Sequence, residues 1–335
     1  MRFLALQVAS LLMALQLGAQ SWVLQDSGVT ASLRGVHAVS SKVVWASGSD
    51  GTWLRTLNGG GKWETGKVTG GEKLDFRGIQ AFSATEAIVV SAGAGPLSKV
   101  FSTSDGGTHW QFLFENPDAR GFFDGVSFSD RKQGAILGDP VSGRLAVFVT
   151  ADGGRTWTRR EGPEAHEGEA SFAASNSTLR VLSGKDIRIA SGGKGGARVI
   201  RSADGGTTWS AVQTPLRHDL ETAGIFSVGW KSASHGIAVG GNYQNDKEGI
   251  ANLAITLDGG RSWKLPAQRP AGFRSAVEYL KSERVWIATG TSGSDISPDG
   301  RVWRQFDDGA FHALSGGWAT GPKGRIGKLQ TALPR

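Results

Sequence analysis

The sequence predicts an all-β molecule built from one repeated unit, and three observations predict it. Glycine supplies 50 of the 335 residues with no collagen period, so it must serve turns. A short turn signature recurs along the chain at a near-constant interval. Between its copies apolar residues alternate with polar ones or run four or five together, and no stretch beyond the first twenty residues keeps a helical period.

The signature is [ST]-x-[DN]-G-G-x-x-W. Thr56-Leu57-Asn58-Gly59-Gly60 precedes Trp63, Thr103-Ser104-Asp105-Gly106-Gly107 precedes Trp110, and Thr150-Ala151-Asp152-Gly153-Gly154 precedes Trp157. Ser202-Ala203-Asp204-Gly205-Gly206 precedes Trp209, and Thr256-Leu257-Asp258-Gly259-Gly260 precedes Trp263. A shortened sixth copy, Ser297-Pro298-Asp299-Gly300, precedes Trp303. The tryptophans lie 40 to 54 residues apart. The chemistry is local. An Asp or Asn side chain bonds backbone N–H groups a few positions on, glycine supplies positive φ, and the indole covers the turn as the next strand begins. Asn58, Asp105, Asp152, Asp204, Asp258 and Asp299 are therefore read as structural turn residues, not as metal ligands or catalytic acids.

This signature resembles the Asp-box, or bacterial neuraminidase repeat. The resemblance implies a β-propeller in which each repeat is a four-stranded blade. The second repeat reads that way. Gly78 to Phe82 alternates, Ala87 to Val90 is continuously apolar, Lys99 to Phe101 leads into the turn, and Trp110 to Phe114 alternates again.

Inner strands are expected to open at Leu33-Arg34-Gly35-Val36, Phe76-Arg77-Gly78-Ile79, Phe123-Asp124-Gly125-Val126, Glu169-Ala170-Ser171-Phe172, Ile225-Phe226-Ser227-Val228, Phe273-Arg274-Ser275-Ala276 and Phe311-His312-Ala313-Leu314. That makes seven starts for six turns, and the last repeat lacks an outer strand. Ser21 to Ser27 looks like the outer strands that begin at Trp157, Trp209 or Trp263. The expected fold is a seven-bladed β-propeller closed by an N-terminal strand that completes the last blade, which leaves only short, protected edges.

Residues 1–19 have the three parts of a secretory signal: a basic start at Arg2, an apolar stretch from Phe3 to Leu17, and small residues at Gly18 and Ala19. Cleavage near Ala19 would leave a single domain over 20–335, secreted or periplasmic, with no stable membrane insertion once the signal is removed. With no cysteine in the chain, disulfides, thiolate metal sites, iron–sulfur clusters and cysteine nucleophiles are excluded. A net charge of +7 without a long Lys/Arg run gives no nucleic-acid footprint. His166-Glu167 opens a zinc-protease pattern, but position 170 is alanine. No cofactor or metal is expected.

Seven such blades behind a secretory signal resemble the photosystem II stability/assembly factor-like propellers, relatives of the sialidase and sortilin types. Members in photosynthetic organisms help newly made membrane subunits assemble. The resemblance thus implies a non-catalytic binding scaffold for an exported or membrane protein, a peptide or a glycan.

At the aligned position of the inner-strand starts stand Arg34, Arg77, Asp124, Glu169, Phe226, Arg274 and His312, which should ring one channel mouth. Three arginines could grip a carboxylate through paired N–H···O bonds. Alternatively they could pair with Asp124 and Glu169 and simply order the ring. The sialidase resemblance raises a catalytic alternative, with Tyr243 as nucleophile, Glu248 as its helper and Asp124 as acid. However, Arg34 and Arg77 are followed by glycine, which departs from the Arg-Ile-Pro setting of that family. Asp124, Asp139 and Glu169 could also serve two-carboxylate glycoside hydrolysis.

Overall fold

The computed structural model describes residues 20–331, so the expected signal segment 1–19 lies outside them. Seven antiparallel sheets form a closed ring, and the described residues contain no α-helix, only the short 3₁₀ turns Gly95–Leu97 and Tyr243–Asn245. From the axis outward, blade one comprises Leu33–Ala38, Val44–Gly48, Thr52–Thr56 and Glu64–Lys67. Blade two comprises Phe76–Ala81, Ala87–Ser91, Lys99–Thr103 and Gln111–Glu115. Blade three opens with Phe123–Phe128, blade four with Leu179–Val181, blade five with Ala223–Trp230, blade six with Ala276–Leu280 and blade seven with Ala313–Ser315. In blade five the fourth position is held only by the bridge between Ile255 and Lys264.

Blade seven closes the ring as expected. Gln20–Gln25 pairs antiparallel with Ile326–Thr331 over six residues and forms the outer strand of the sheet. Trp22 anchors it. The indole is 7% exposed, packs on Phe306 and Phe311, and donates Nε1–H to Ser294 Oγ in blade six at 2.9 Å.

The core is a series of seams between neighbouring blades. Trp45 and Trp53 of blade one pack against Phe76, Ile79, Val89, Phe101 and Trp110 of blade two. Ile237, Val239 and Leu253 of blade five meet Val277, Trp286, Ala288 and Trp303 of blade six. Blade strands are therefore covered on both faces, which explains their near-continuous apolar runs.

The repeated turn is built by its own side chains. In blade two Thr103 Oγ1 donates to Asp105 Oδ1 (3.0 Å), while the Gly107 and His109 amides donate to Thr103 Oγ1 (2.9 Å) and Asp105 Oδ1 (3.0 Å). Gly106 and Gly107 sit at φ 82° and 92°, where a side chain would be strained. The shortened copy keeps the logic one residue tighter, with the Gly300 amide on Ser297 Oγ at 2.8 Å.

Two features depart from the sequence reading. Glu169–Ala170 is not the inner strand of blade four. It pairs instead with Gly192–Gly193, whose Gly192 also pairs with Gly224 of blade five. The inner strand is the three-residue Leu179–Val181, and the segment between runs into the axis of the ring. There Asn176, at φ 59°, accepts from the Val126 amide (2.8 Å) and donates to Ile79 O (3.1 Å). Ser175 Oγ donates to Ser275 O (2.7 Å), and Ser177 Oγ to Ser227 Oγ (2.8 Å). One short segment of blade four thereby ties together blades two, three, five and six. Its polar side chains satisfy strand groups facing the lumen, as buried polar atoms require.

The second departure concerns register. Blades one, two, three and five open with a bulge, between Leu33/Gly35, Phe76/Gly78, Phe123/Gly125 and Ile225/Ser227. Each bulge turns one extra residue to the mouth: Arg34, Arg77, Asp124 and Phe226. Blade six pairs Ala276 with Thr289 and Val277 with Ala288, and the Ser275 amide also donates to Thr289 O, so the extra residue there is Ser275.

Candidate functional site at the channel mouth

The mouth in question lies on the face opposite the glycine-aspartate turns. There the bulges deliver Arg34 from blade one, Arg77 from blade two and Asp124 from blade three, and the strand start of blade seven adds His312. Arg34 is half-buried, and no hydrogen bond or ion pair joins it to another described residue. Burial, then the charge of Arg77, lower its pKa, and Asp75 opposes them. Arg77 donates Nε–H to Asp75 at 2.7 Å and reaches Ala173 O at 3.5 Å. Burial pushes His312 down to about 3, reinforced by the charges of Arg34 and Arg77, so its imidazole is neutral.

Asp124 is 2% exposed, and its Oδ2 has no partner. Burial, then the charge of Asp139, raise its pKa well above the carboxylate range, while Arg77 works the other way. Asp139 is itself raised by burial, although the Ser171 amide donates to it at 3.0 Å. The mouth thus carries two guanidinium charges against Asp75, with a carboxyl that favours its neutral form beneath them.

An aromatic step borders these charges. Phe172 lies flat on Phe226, with centroids 3.9 Å apart and planes at 4°. Tyr243 is 47% exposed and stands beside the pair, its ring steeply inclined to both, with centroids 6.4 and 6.1 Å away.

Two residues expected here are elsewhere. Arg274 is fully buried. It takes the inward position that Leu33, Phe76 and Ile225 hold in their blades, one residue later than the sequence alignment placed it, and Ser275 takes the mouth position. Its Nε donates to Asp295 Oδ2 at 2.6 Å and its Nη1 to Phe273 O and Ser292 Oγ at 2.7 and 2.9 Å. The expected trio of arginines is therefore a pair. Glu169 is buried and bonded by Arg198 Nε (2.8 Å) and the His166 amide (2.8 Å). It follows its short strand to the blade four–five seam.

Tyr243 and Glu248, expected as nucleophile and helper in the catalytic alternative, are engaged separately. Glu248 is held by Arg217 Nη1 at 2.5 Å, and no hydrogen bond joins it to Tyr243. Phe172, Asp75 and Asp139 were not in the expected ring of mouth residues. Phe172 could have been found from the Ser-Asn run that follows it, which fits no strand.

The class defined by this fold is the seven-bladed propeller with a plugged axis and a basic, aromatic-edged mouth. No family model matches the chain, and no curated protein matches it. Solved structures do. A structure described as YCF48 bound to D1 peptide is 17% identical, covers 94% of this chain and 97% of its own, and superposes with a TM-score of 0.64. YCF48 from Cyanidioschyzon merolae is 17% identical over 92% of this chain and 98% of its own, with a TM-score of 0.63. The GH74 enzyme of Niastella koreensis is 11% identical over 87% of this chain but 56% of its own, at 0.57. At these identities the similarity shows the fold.

Proposed function

We propose that the protein is an exported binding propeller that takes a carboxylate-bearing peptide or protein segment at the Arg34–Arg77 mouth. The carrying observation is Arg34: a half-buried guanidinium with no ion partner, beside a second guanidinium and a neutral imidazole. Such a fork offers paired donors to a carboxylate, and the exposed Tyr243 with the half-buried Phe172, backed by the buried Phe226, offers apolar surface to the preceding residues. That the similar YCF48 structure holds a D1 peptide supports a peptide occupant.

The test is calorimetry with synthetic peptides ending in a free carboxylate or an amide. Amidation and Arg34→Ala should each weaken binding about ten-fold or more, the scale of one lost charged hydrogen bond. Equal binding of both peptide forms would overturn the reading. Export is tested by N-terminal sequencing of protein recovered from expressing bacteria, with a start near Gln20 expected and an intact Met1 start counting against it.

Two neighbouring raised carboxyls, Asp124 and Asp139, favour one second reading, glycoside hydrolysis. A glycoside panel cleaved by the wild type and not by Asp124→Asn would support it.

A further inference from the structure

The plug closes off a second chamber at the opposite end of the axis, on the face of the glycine-aspartate turns. Ser175 and Asn176 form its floor, and its volume is about 310 Å³. That lies at the lower end of ligand pockets, roughly 300–1,000 Å³. His37 and Gln80 line it from blades one and two, Ser127 from blade three, Arg180 from blade four and Glu278 and Tyr279 from blade six.

Burial lowers the pKa of Arg180 and raises that of Glu278, while each one's charge opposes that shift on the other; no ion pair joins them to each other or to another described residue. Each is held by backbone. Arg180 Nε donates to Val228 O at 3.3 Å, and Glu278 Oε1 accepts from the Gly316 amide at 3.0 Å. Around them stand groups with unused donors. Gln80 Nε2 lies 3.0 Å from His37 Nε2. With Gln80 donating, the proton of the neutral imidazole sits on Nδ1, which is buried without a partner. Burial, reinforced by the charge of Arg180, holds His37 near 4, so it stays neutral. Ser127 Oγ accepts from the Val181 amide at 3.0 Å, which leaves its O–H free to donate.

Two opposite charges set apart across a cavity select against simple ions. A plain anion would satisfy Arg180 and meet repulsion from Glu278, and a plain cation the reverse. We propose that this chamber binds a small zwitterion of free amino-acid size, with its carboxylate on Arg180 and its ammonium on Glu278. His37 and Ser127 supply further donors to the carboxylate, and the Tyr279 ring walls the aliphatic part. Such a ligand replaces the water-borne screening of two half-buried charges with direct charged hydrogen bonds.

The experiment is calorimetry on the wild-type protein with glycine, 4-aminobutanoate and 6-aminohexanoate, which differ in charge separation. Their amides and the corresponding carboxylates without the amine serve as controls. One zwitterion should bind at millimolar concentration or tighter, and both single-charge analogues should bind at least about ten-fold more weakly. Arg180→Met should abolish this binding without changing the near-ultraviolet spectrum. Failure of all three zwitterions to bind, or equal binding of a monocarboxylate, would overturn the proposal. Neither outcome needs a variant that folds. The peptide assay run on Arg180→Met should be unaffected, so failure at this chamber and failure at the Arg34 mouth are distinguishable.

Discussion

Asn176 shows how much a single side chain can carry in this molecule. It adopts the left-handed conformation that asparagine tolerates better than most residues, and it satisfies a donor in one blade and an acceptor in another. Asn176→Ala leaves both backbone groups buried and unpaired, at roughly 1–3 kcal/mol each. The urea midpoint should fall accordingly. Asp124 behaves in the opposite sense. A carboxyl whose pKa is raised in the folded state favours folding while protonated. Its contribution is lost as pH rises from the ordinary carboxylate value through the raised one. Asp124→Asn copies the protonated form and should stabilise the protein at pH 7 with little effect at pH 4, as paired urea titrations would show. Arg34, Arg77 and His312 could be read as mouth residues from the sequence, because the bulge in the first two leaves a residue before glycine. Arg274 could not be placed. Phe273-Arg274-Ser275 looks like the same start, and only the pairing of Ser275 and Ala276 with Thr289 reveals the one-residue offset. Arg180 gave no signal, since its strand is three residues long and was not recognised.

At the scale of the element, the glycine-aspartate turns were legible because every contact in them is local. The same locality makes them acid-sensitive. Hydrogen bonds from neighbouring amides and side chains hold Asp105 and Asp152 down to about 2, and Asp204 and Asp258 are shifted in the same direction. A depressed carboxylate contributes stability above its unfolded pKa and loses it as pH falls through the folded one. The melting temperature should therefore drop between about pH 4 and pH 2. Replacing Asp105 and Asp152 by alanine should flatten that slope, which a pH series of thermal melts would measure. Blade four was the element misread. Glu169-Ala170-Ser171-Phe172 resembles a strand start, and it does pair, but with a hairpin at the blade seam. The tract Ala174-Ser175-Asn176-Ser177-Thr178 is polar because it fills a lumen lined by backbone groups. Nothing local distinguishes such a tract from a surface loop.

For the molecule as a whole, closure converts seven separate seams into one cooperative structure. The closing strand was readable from the sequence because the last repeat lacked its outer member and the chain offered a Trp22-headed candidate. Truncating that indole removes a buried aromatic from the blade six–seven seam, and Trp22→Ala should cost about 3–5 kcal/mol. Deleting residues 20–25 exposes an open sheet edge. Tryptophan fluorescence and far-ultraviolet dichroism, coincident in the wild type, should then follow separate transitions. Retention of a single sharp transition in the deletion would show that closure contributes nothing to cooperativity.

Gln20 and Thr331 are register partners. The two ends of the folded body thus emerge side by side on one rim, and a short linker could join them. New termini cut into any of the turn loops would then yield a rearranged gene order for the same ring. Cargo fused directly at Gln20 or at Thr331 would hang from the same spot on that rim.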